Sequence, residues 1–176
     1  MNFQLKSDWR KIIKSKTLSQ EEVLRQSDKV CKKLEQLPVF SKAKIILLFW
    51  SLPDEISTHY LIKKWAQEKT ILLPIVKNEE LFLRKFCGAD NLTCGCFNIQ
   101  EPDTEDFADF NSIDLAIIPA LAFDKQGTRL GRGKGFYDRL LPRIKAKKIG
   151  ICFDFQLVEK LPSDAWDVKM DLVIAP

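Results

Sequence analysis

Histidine is nearly missing from this chain: of its 176 residues only His59 carries an imidazole. Centres built on several histidines are thereby excluded, and His59 is read as structural or exposed, with no catalytic role. Cysteine is present but unpatterned. Cys31, Cys87, Cys94, Cys96 and Cys152 are odd in number and form no disulfide framework. Cys87, Cys94 and Cys96 lie close together, but His59 is remote in sequence, so free thiols are a better reading than a zinc site. No apolar run approaches the roughly 20 residues of a membrane helix. The longest, Ile45 to Trp50, has the length of a buried strand. The start, Met1 to Lys6, lacks a signal-peptide pattern because charge interrupts it before an apolar stretch develops. A cytoplasmic protein without a membrane partner is expected.

An excess of one charge is also lacking. The formal net charge is +4, which suits an anionic small ligand. Acids interrupt the basic runs, as in Lys160 to Lys169, so no basic stripe for nucleic acid is expected. Hydrophobic residues at 45% and charged residues at 30% are ordinary for a globular protein. The length favours one domain spanning residues 1–176.

Helices and strands alternate along the chain. Leu5, Trp9, Ile12 and Ile13 recur at helical spacing. Ser19 with Glu22 reads as a capping box opening a second helix, which Pro38 is expected to stop. Lys44 to Trp50 reads as a strand buried on both faces, Thr58 to Glu68 as a helix, and Thr70 to Val76 as another strand. Pro74 should interrupt the pairing of that strand, since it has no N–H to donate. Leu81 to Phe86 follows a turn at Asn78, and Cys87 to Phe110 reads as irregular. Strands are expected at Leu115 to Pro119, Lys148 to Phe153 and Leu172 to Ala175, with a polar loop from Asp124 to Lys134 and a short helix from Phe136. This order predicts an α/β fold: a mostly parallel sheet with helices on both faces. Ligands in such sheets bind at the carboxyl ends of the strands, which puts the loops after Trp50, Val76 and Pro119 on one rim.

Glycine is scarce, at seven residues, yet four of the seven fall between Gly127 and Gly135. Glycines let backbone N–H groups approach a ligand closely, and successive amides make an anion-binding concavity. Arg129, Arg132, Lys134 and Arg139 add positive charge. Asp138 is a carboxylate where a phosphate-bound magnesium can sit. The pattern Gly131-x-Gly133-x-Gly135 is neither the Walker motif nor the dinucleotide fingerprint. By spacing alone, a loop with solvated arginines remains open.

The segment Phe123-Asp124, then Gly127-x-Arg129-Leu130-Gly131-x-Gly133-x-Gly135-Phe136-Tyr137-Asp138-Arg139, closely resembles the signature of the 5-formyltetrahydrofolate cyclo-ligase family. Lys6-x-x-Trp9-Arg10, Glu55-x-x-Thr58, Leu73-Pro74-x-Val76, Glu101-Pro102, Gln156 with Leu161-Pro162, and Met170-Asp171 fall in family order. Phe136 stands where many members have tyrosine, Trp9 where leucine is usual, and Phe97 near a position that is tryptophan in some. The resemblance implies a three-layer sandwich of the NagB/RpiA/CoA-transferase-like kind and a monomer. It also implies an ATP- and Mg2+-dependent closure of 5-formyltetrahydrofolate to 5,10-methenyltetrahydrofolate. On this basis Gly131, Gly133, Gly135 and Phe136, with Arg129, Arg132, Lys134, Tyr137, Asp138 and Arg139, bind ATP. Arg132, Lys134 and Tyr137 also serve catalysis. Lys6 and Arg10 close on the triphosphate, Trp50, Glu55 and Thr58 face the folate, and Asp138 with Asp171 holds magnesium.

Plainer readings stand beside these. Lys6 and Arg10 suit a solvated helix face, Glu55 a helix-start acid, Trp50 the core, and Asp171 a turn. Another ATP-dependent phosphotransferase, or an RNA contact through Arg129 to Lys134, remains as a rival function. Gly133 offers a sharp check. A Cβ there would hold the backbone away from a phosphate, so Gly133→Ala is expected to stay soluble and folded but lose nearly all turnover in a steady-state assay with saturating ATP.

Overall fold

A computed structural model of the chain describes residues 5–95 and 99–176. Helix α1 spans Lys6–Lys14 and α2 spans Gln20–Glu35. The Ser19 hydroxyl accepts the Glu22 N–H at 3.2 Å, satisfying one of the first-turn donors of α2. Pro38 does more than end α2: it opens a further short helix, α3, Pro38–Lys42. A proline is well suited to that position, because the first-turn N–H it lacks has no intrahelical partner. Strand β1, Ile45–Leu47, leads through the loop after Trp50 to helix α4, His59–Trp65. Strands β2, Thr70–Lys77, and β3, Glu80–Lys85, form a hairpin whose two turn residues, Asn78 and Glu79, both take positive φ.

The segment after β3, expected to be irregular, contains a small antiparallel pair, β4 (Leu92–Cys94) and β5 (Gln100–Pro102). Strand β6, Leu115–Ile118, is followed by β7, Ala122–Asp124, and β8, Arg129–Leu130. The stretch expected to be a polar loop is therefore partly a β-hairpin. Helix α5, Phe136–Leu140, and strands β9 (Lys147–Ile151), β10 (Leu157–Val158) and β11 (Leu172–Ile174) complete the order.

Six strands pair in the order β11-β9-β6-β1-β2-β3, all parallel except β3. Alternation along the strands divides the apolar side chains between two layers. Ile46, Ile71, Ile117 and Ile149 pack with Val30, Leu34 and Ile62 of the helices on one face. Leu47, Leu72, Ile118 and Cys152 pack with Leu140, Leu141 and Ile144 on the other. The strands are continuous apolar runs because both faces are covered, and the result is a three-layer α/β sandwich.

Pro74 does not interrupt the sheet: β2 and β3 stay in register across it, with Pro74 opposite Leu83. The Phe86 N–H donates to the Ile71 carbonyl at 2.8 Å. Antiparallel pairing alternates, so the nitrogen of Pro74 points away from β3. It faces the side where β1 has already ended.

The β7–β8 hairpin packs across this sheet, with β10 paired to β7. A Cβ at Gly150 in β9 would meet the Phe123 ring at under 3 Å, so the glycine admits β7 to this layer. Asp124 shapes the hairpin. It is 1% exposed, and one oxygen accepts the N–H groups of Gln126 at 2.9 Å and Thr128 at 2.8 Å. Its other oxygen accepts the Leu161 N–H at 3.0 Å. Asp124→Ala strands these donors, so chemical denaturation should show a loss of about 3 kcal/mol.

Candidate active site

The carboxyl ends of β1, β2 and β6 open into one cavity of about 550 Å³. This is the rim that parallel topology predicts. The loop after β1 supplies Trp50 and Glu55, the ends of β2 and β3 supply Val76 and Leu81, and the residues after β6 supply Pro119 and Ala120. The β8-to-α5 segment contributes Arg129 and Gly131 through Asp138, and α1 contributes Lys6 and Arg10.

The glycine segment is held by charge. Arg129, 7% exposed, pairs with Asp138 and lies with its guanidinium 5.4 Å from the Tyr137 ring centre. The Arg129 Nε is buried and has no hydrogen-bond partner among the described residues. Arg10 Nε donates to the Gly131 carbonyl at 2.9 Å. Gly133 has φ +102°, a conformation side chains rarely take, and its Cβ position lies 3.6 Å from the Arg10 guanidinium. Arg132 reaches the other way, to Asp54 at 2.7 Å and Glu55 at 3.1 Å. Lys134 lines the cavity, and no ion pair engages it among the described residues. Burial pushes the Tyr137 phenol well above its ordinary pKa, so it stays protonated.

Lys6 and Arg10 both face the cavity, so the solvated-face reading does not hold. Lys6 is already paired, with Asp164 at 2.7 Å and Asp167 at 2.6 Å. Burial acts to lower its pKa, but the two carboxylates outweigh that and leave the ammonium above its ordinary value. Glu55 precedes α4 and is no helix-start acid. It is buried, with Oε2 accepting the Leu52 N–H at 3.0 Å and Oε1 facing Arg132. Trp50 stacks on His59, ring centres 4.2 Å apart and 24° between planes. The single histidine thus backs one wall, and burial holds its pKa below the ordinary value.

Three expected site residues stand elsewhere. Thr58 is buried behind the cavity, where its hydroxyl donates to the Phe49 carbonyl and its N–H to the Ser51 hydroxyl at 3.2 Å. Arg139 turns to the β2–β3 turn, donating to the Glu79 carbonyl at 2.7 Å, and to the Lys134 carbonyl at 3.3 Å. Asp171 accepts the Lys148 N–H at 2.7 Å at the amino-terminal edge of β9 and β11, the end of the sheet away from the cavity. It therefore does not join Asp138. Phe97 and Cys96 lie outside the described residues. Sequence reasoning missed Asp54, Asp164, Trp166 and Asp167. Their only signal was proximity to the quoted motifs, since distant loops bring them together. No group of three metal-ligating side chains occurs among the described residues.

The chain resembles known proteins over nearly its whole length. The model of the 5-formyltetrahydrofolate cyclo-ligase family matches residues 4–176. A 5-formyltetrahydrofolate cyclo-ligase from Haemophilus influenzae is 36% identical, over 95% of this chain and 93% of its own length. The one from Escherichia coli K12 is 31% identical, over 92% and 93% respectively. The NMR structure of Aquifex aeolicus 5,10-methenyltetrahydrofolate synthetase superposes with a TM-score of 0.88 at 39% identity, covering 97% of this chain and 89% of that one.

Glu55 yields a check that needs no substrate. Burial raises its carboxyl pKa, against the opposing pull of the Leu52 N–H and Arg132. A raised carboxyl pKa means the folded chain holds the proton more tightly than the unfolded chain, so stability from this group falls as pH rises through the carboxylate range. Glu55→Gln abolishes that titration. Melting curves should show the variant gaining stability relative to the parent as pH increases across that range and levelling off above it.

Proposed function

The chain belongs to the 5-formyltetrahydrofolate cyclo-ligase family, and we propose on that premise that its cavity closes 5-formyltetrahydrofolate to 5,10-methenyltetrahydrofolate at the expense of ATP. One observation carries the reading. A glycine segment, lined with cations and including the unengaged Lys134, shares a cavity with a buried carboxylate, Glu55, beside an indole, Trp50. Amides and cations suit polyphosphate. A buried acceptor beside a flat aromatic suits the N–H edge of a pterin.

The formyl group is an amide and resists attack by the neighbouring amine. Transfer of the γ-phosphoryl group to the formyl oxygen breaks the bond to the ADP oxygen and leaves the formyl carbon open to attack. The nitrogen at position 10 then bonds to that carbon and loses its proton, and the carbon–oxygen bond breaks to release phosphate. Transfer of this kind asks the protein for positioning and charge stabilisation more than for covalent chemistry. Arg132 fits a bridging role, since it lies on the glycine segment and its guanidinium touches Glu55. Lys134 supplies mobile positive charge to the transferring group. The protonated Tyr137 packs under Arg129 and orients it.

Magnesium fits this arrangement as a companion of the phosphates. It commonly keeps several waters and takes one or two carboxylates, and Asp138 lines the cavity. Its contribution when bound would be to neutralise phosphate charge. The same proposal includes a monomeric, cytoplasmic enzyme. No described helix is long and apolar enough to cross a membrane.

Incubation with ATP and 5-formyltetrahydrofolate should produce the near-ultraviolet absorbance of the methenyl product, and its absence would defeat the reading. Lys134→Ala removes a charge-assisted contact of about 1.5–3 kcal/mol. In the same assay kcat/KM for ATP should fall roughly 10- to 100-fold.

A further inference from the structure

Trp166 is 71% exposed, yet it lines the mouth of the cavity. A lone exposed aromatic usually calls for no explanation, but the turn that carries this one is tied down by its neighbours. The Asp167 N–H donates to the Asp164 carbonyl at 3.1 Å, and the Asp164 N–H donates to the Asp167 side chain at 2.8 Å. Both carboxylates bond Lys6 of α1. On one side of the turn, the Leu161 N–H is tied to Asp124. On the other, the Met170 N–H donates to the Gly127 carbonyl at 2.8 Å. The backbone carrying the indole is therefore fixed at both ends and in the middle.

Contacts order the cavity from end to end. Trp166 sits beside Asp167, which bonds Lys6. Lys6 lies one helical turn from Arg10, which bonds the Gly131 carbonyl. Arg132 follows on the glycine segment and bonds Glu55, in the loop that begins at Trp50. Contacts through Lys6, Arg10 and Arg132 thus link the neighbourhoods of two indoles that both line the cavity, Trp166 and Trp50. The proposed reaction requires the same order of its ligands: a flat pterin, a row of phosphates, then a flat purine. With the pterin at Glu55, the purine falls at the far end.

We propose that Trp166 is a nucleotide-binding residue that stacks on the purine base of ATP. The proposal rests on the cyclo-ligase reading for the placement of the two substrates. An indole on a fixed backbone has only its two side-chain torsions to order when it stacks, and stacking on a base is insensitive to its hydrogen-bonding pattern. The site should therefore accept GTP almost as readily as ATP while rejecting phosphate chains that carry no base.

The test compares Mg·ATP with Mg·tripolyphosphate, which has the phosphates but no base, by calorimetric titration of the full chain. Trp166→Ala should weaken ATP about tenfold or more and leave tripolyphosphate unchanged. Trp166→Phe, which keeps a ring, should hold ATP affinity within about threefold of the parent. Equal loss for ATP and tripolyphosphate would overturn the proposal, because Trp166 would then act only through Lys6 and its acids. Loss confined to 5-formyltetrahydrofolate, or no loss at all, would overturn it as well. None of these titrations needs turnover. A parent chain that binds ATP but yields no methenyl product would instead count against the cyclo-ligase reading.

Discussion

The carboxylate of Asp124 accepts three backbone N–H groups, from Gln126, Thr128 and Leu161. An ionised carboxylate is an acceptor only, so it can be buried where backbone donors converge. The first two bonds fold the tip of the β7–β8 hairpin and send β8 back toward the rim of the sheet. Gly131 to Asp138 arrive at the cavity by that route. The third bond anchors the segment that carries Asp164, Trp166 and Asp167. One buried side chain therefore sets two walls of the site, and α1 is drawn between them by Lys6 and Arg10.

The charges of the site are arranged before any ligand arrives. Lys6 is paired with two aspartates, Arg129 with Asp138, and Arg132 with Asp54 and Glu55, while Arg10 holds a backbone carbonyl. Such pairing fixes where the cations stand around the cavity. It also means that an incoming anion competes with carboxylates for most of these cations. Lys134, and Arg10 beyond its bond to the Gly131 carbonyl, are the lining cations that no carboxylate engages among the described residues. The pairing links the two ends of the cavity as well, since Arg132 touches Glu55.

Much of the layout was legible from residue order. The runs at Ile45, Leu115 and Lys148 read as strands because a parallel sheet covered on both faces leaves no polar side to interrupt them. The rim onto which the cavity opens followed from topology alone. Errors came where a local rule met a tertiary partner. Pro74 keeps its place because its missing N–H points to the side where β1 has ended. Pro38 opens a helix as well as following one. The polar stretch from Asp124 is a hairpin because a buried carboxylate, rather than apolar alternation, organises it.

The same division runs through the site. The order of residues by itself determined the family signature, the glycines that let backbone approach an anion, and the loops that meet at the rim, since these depend on local geometry and strand direction. Only the tertiary structure decided which polar side chains turn inward. Thr58 and Arg139 became supports for the loop after β1 and the β2–β3 turn, and Asp171 fell at the opposite end of the sheet. Asp164, Trp166 and Asp167 entered the cavity from more than 150 residues along the chain from Lys6. Spacing in sequence carries no information about such contacts, because they are set by how separate loops pack around a shared core.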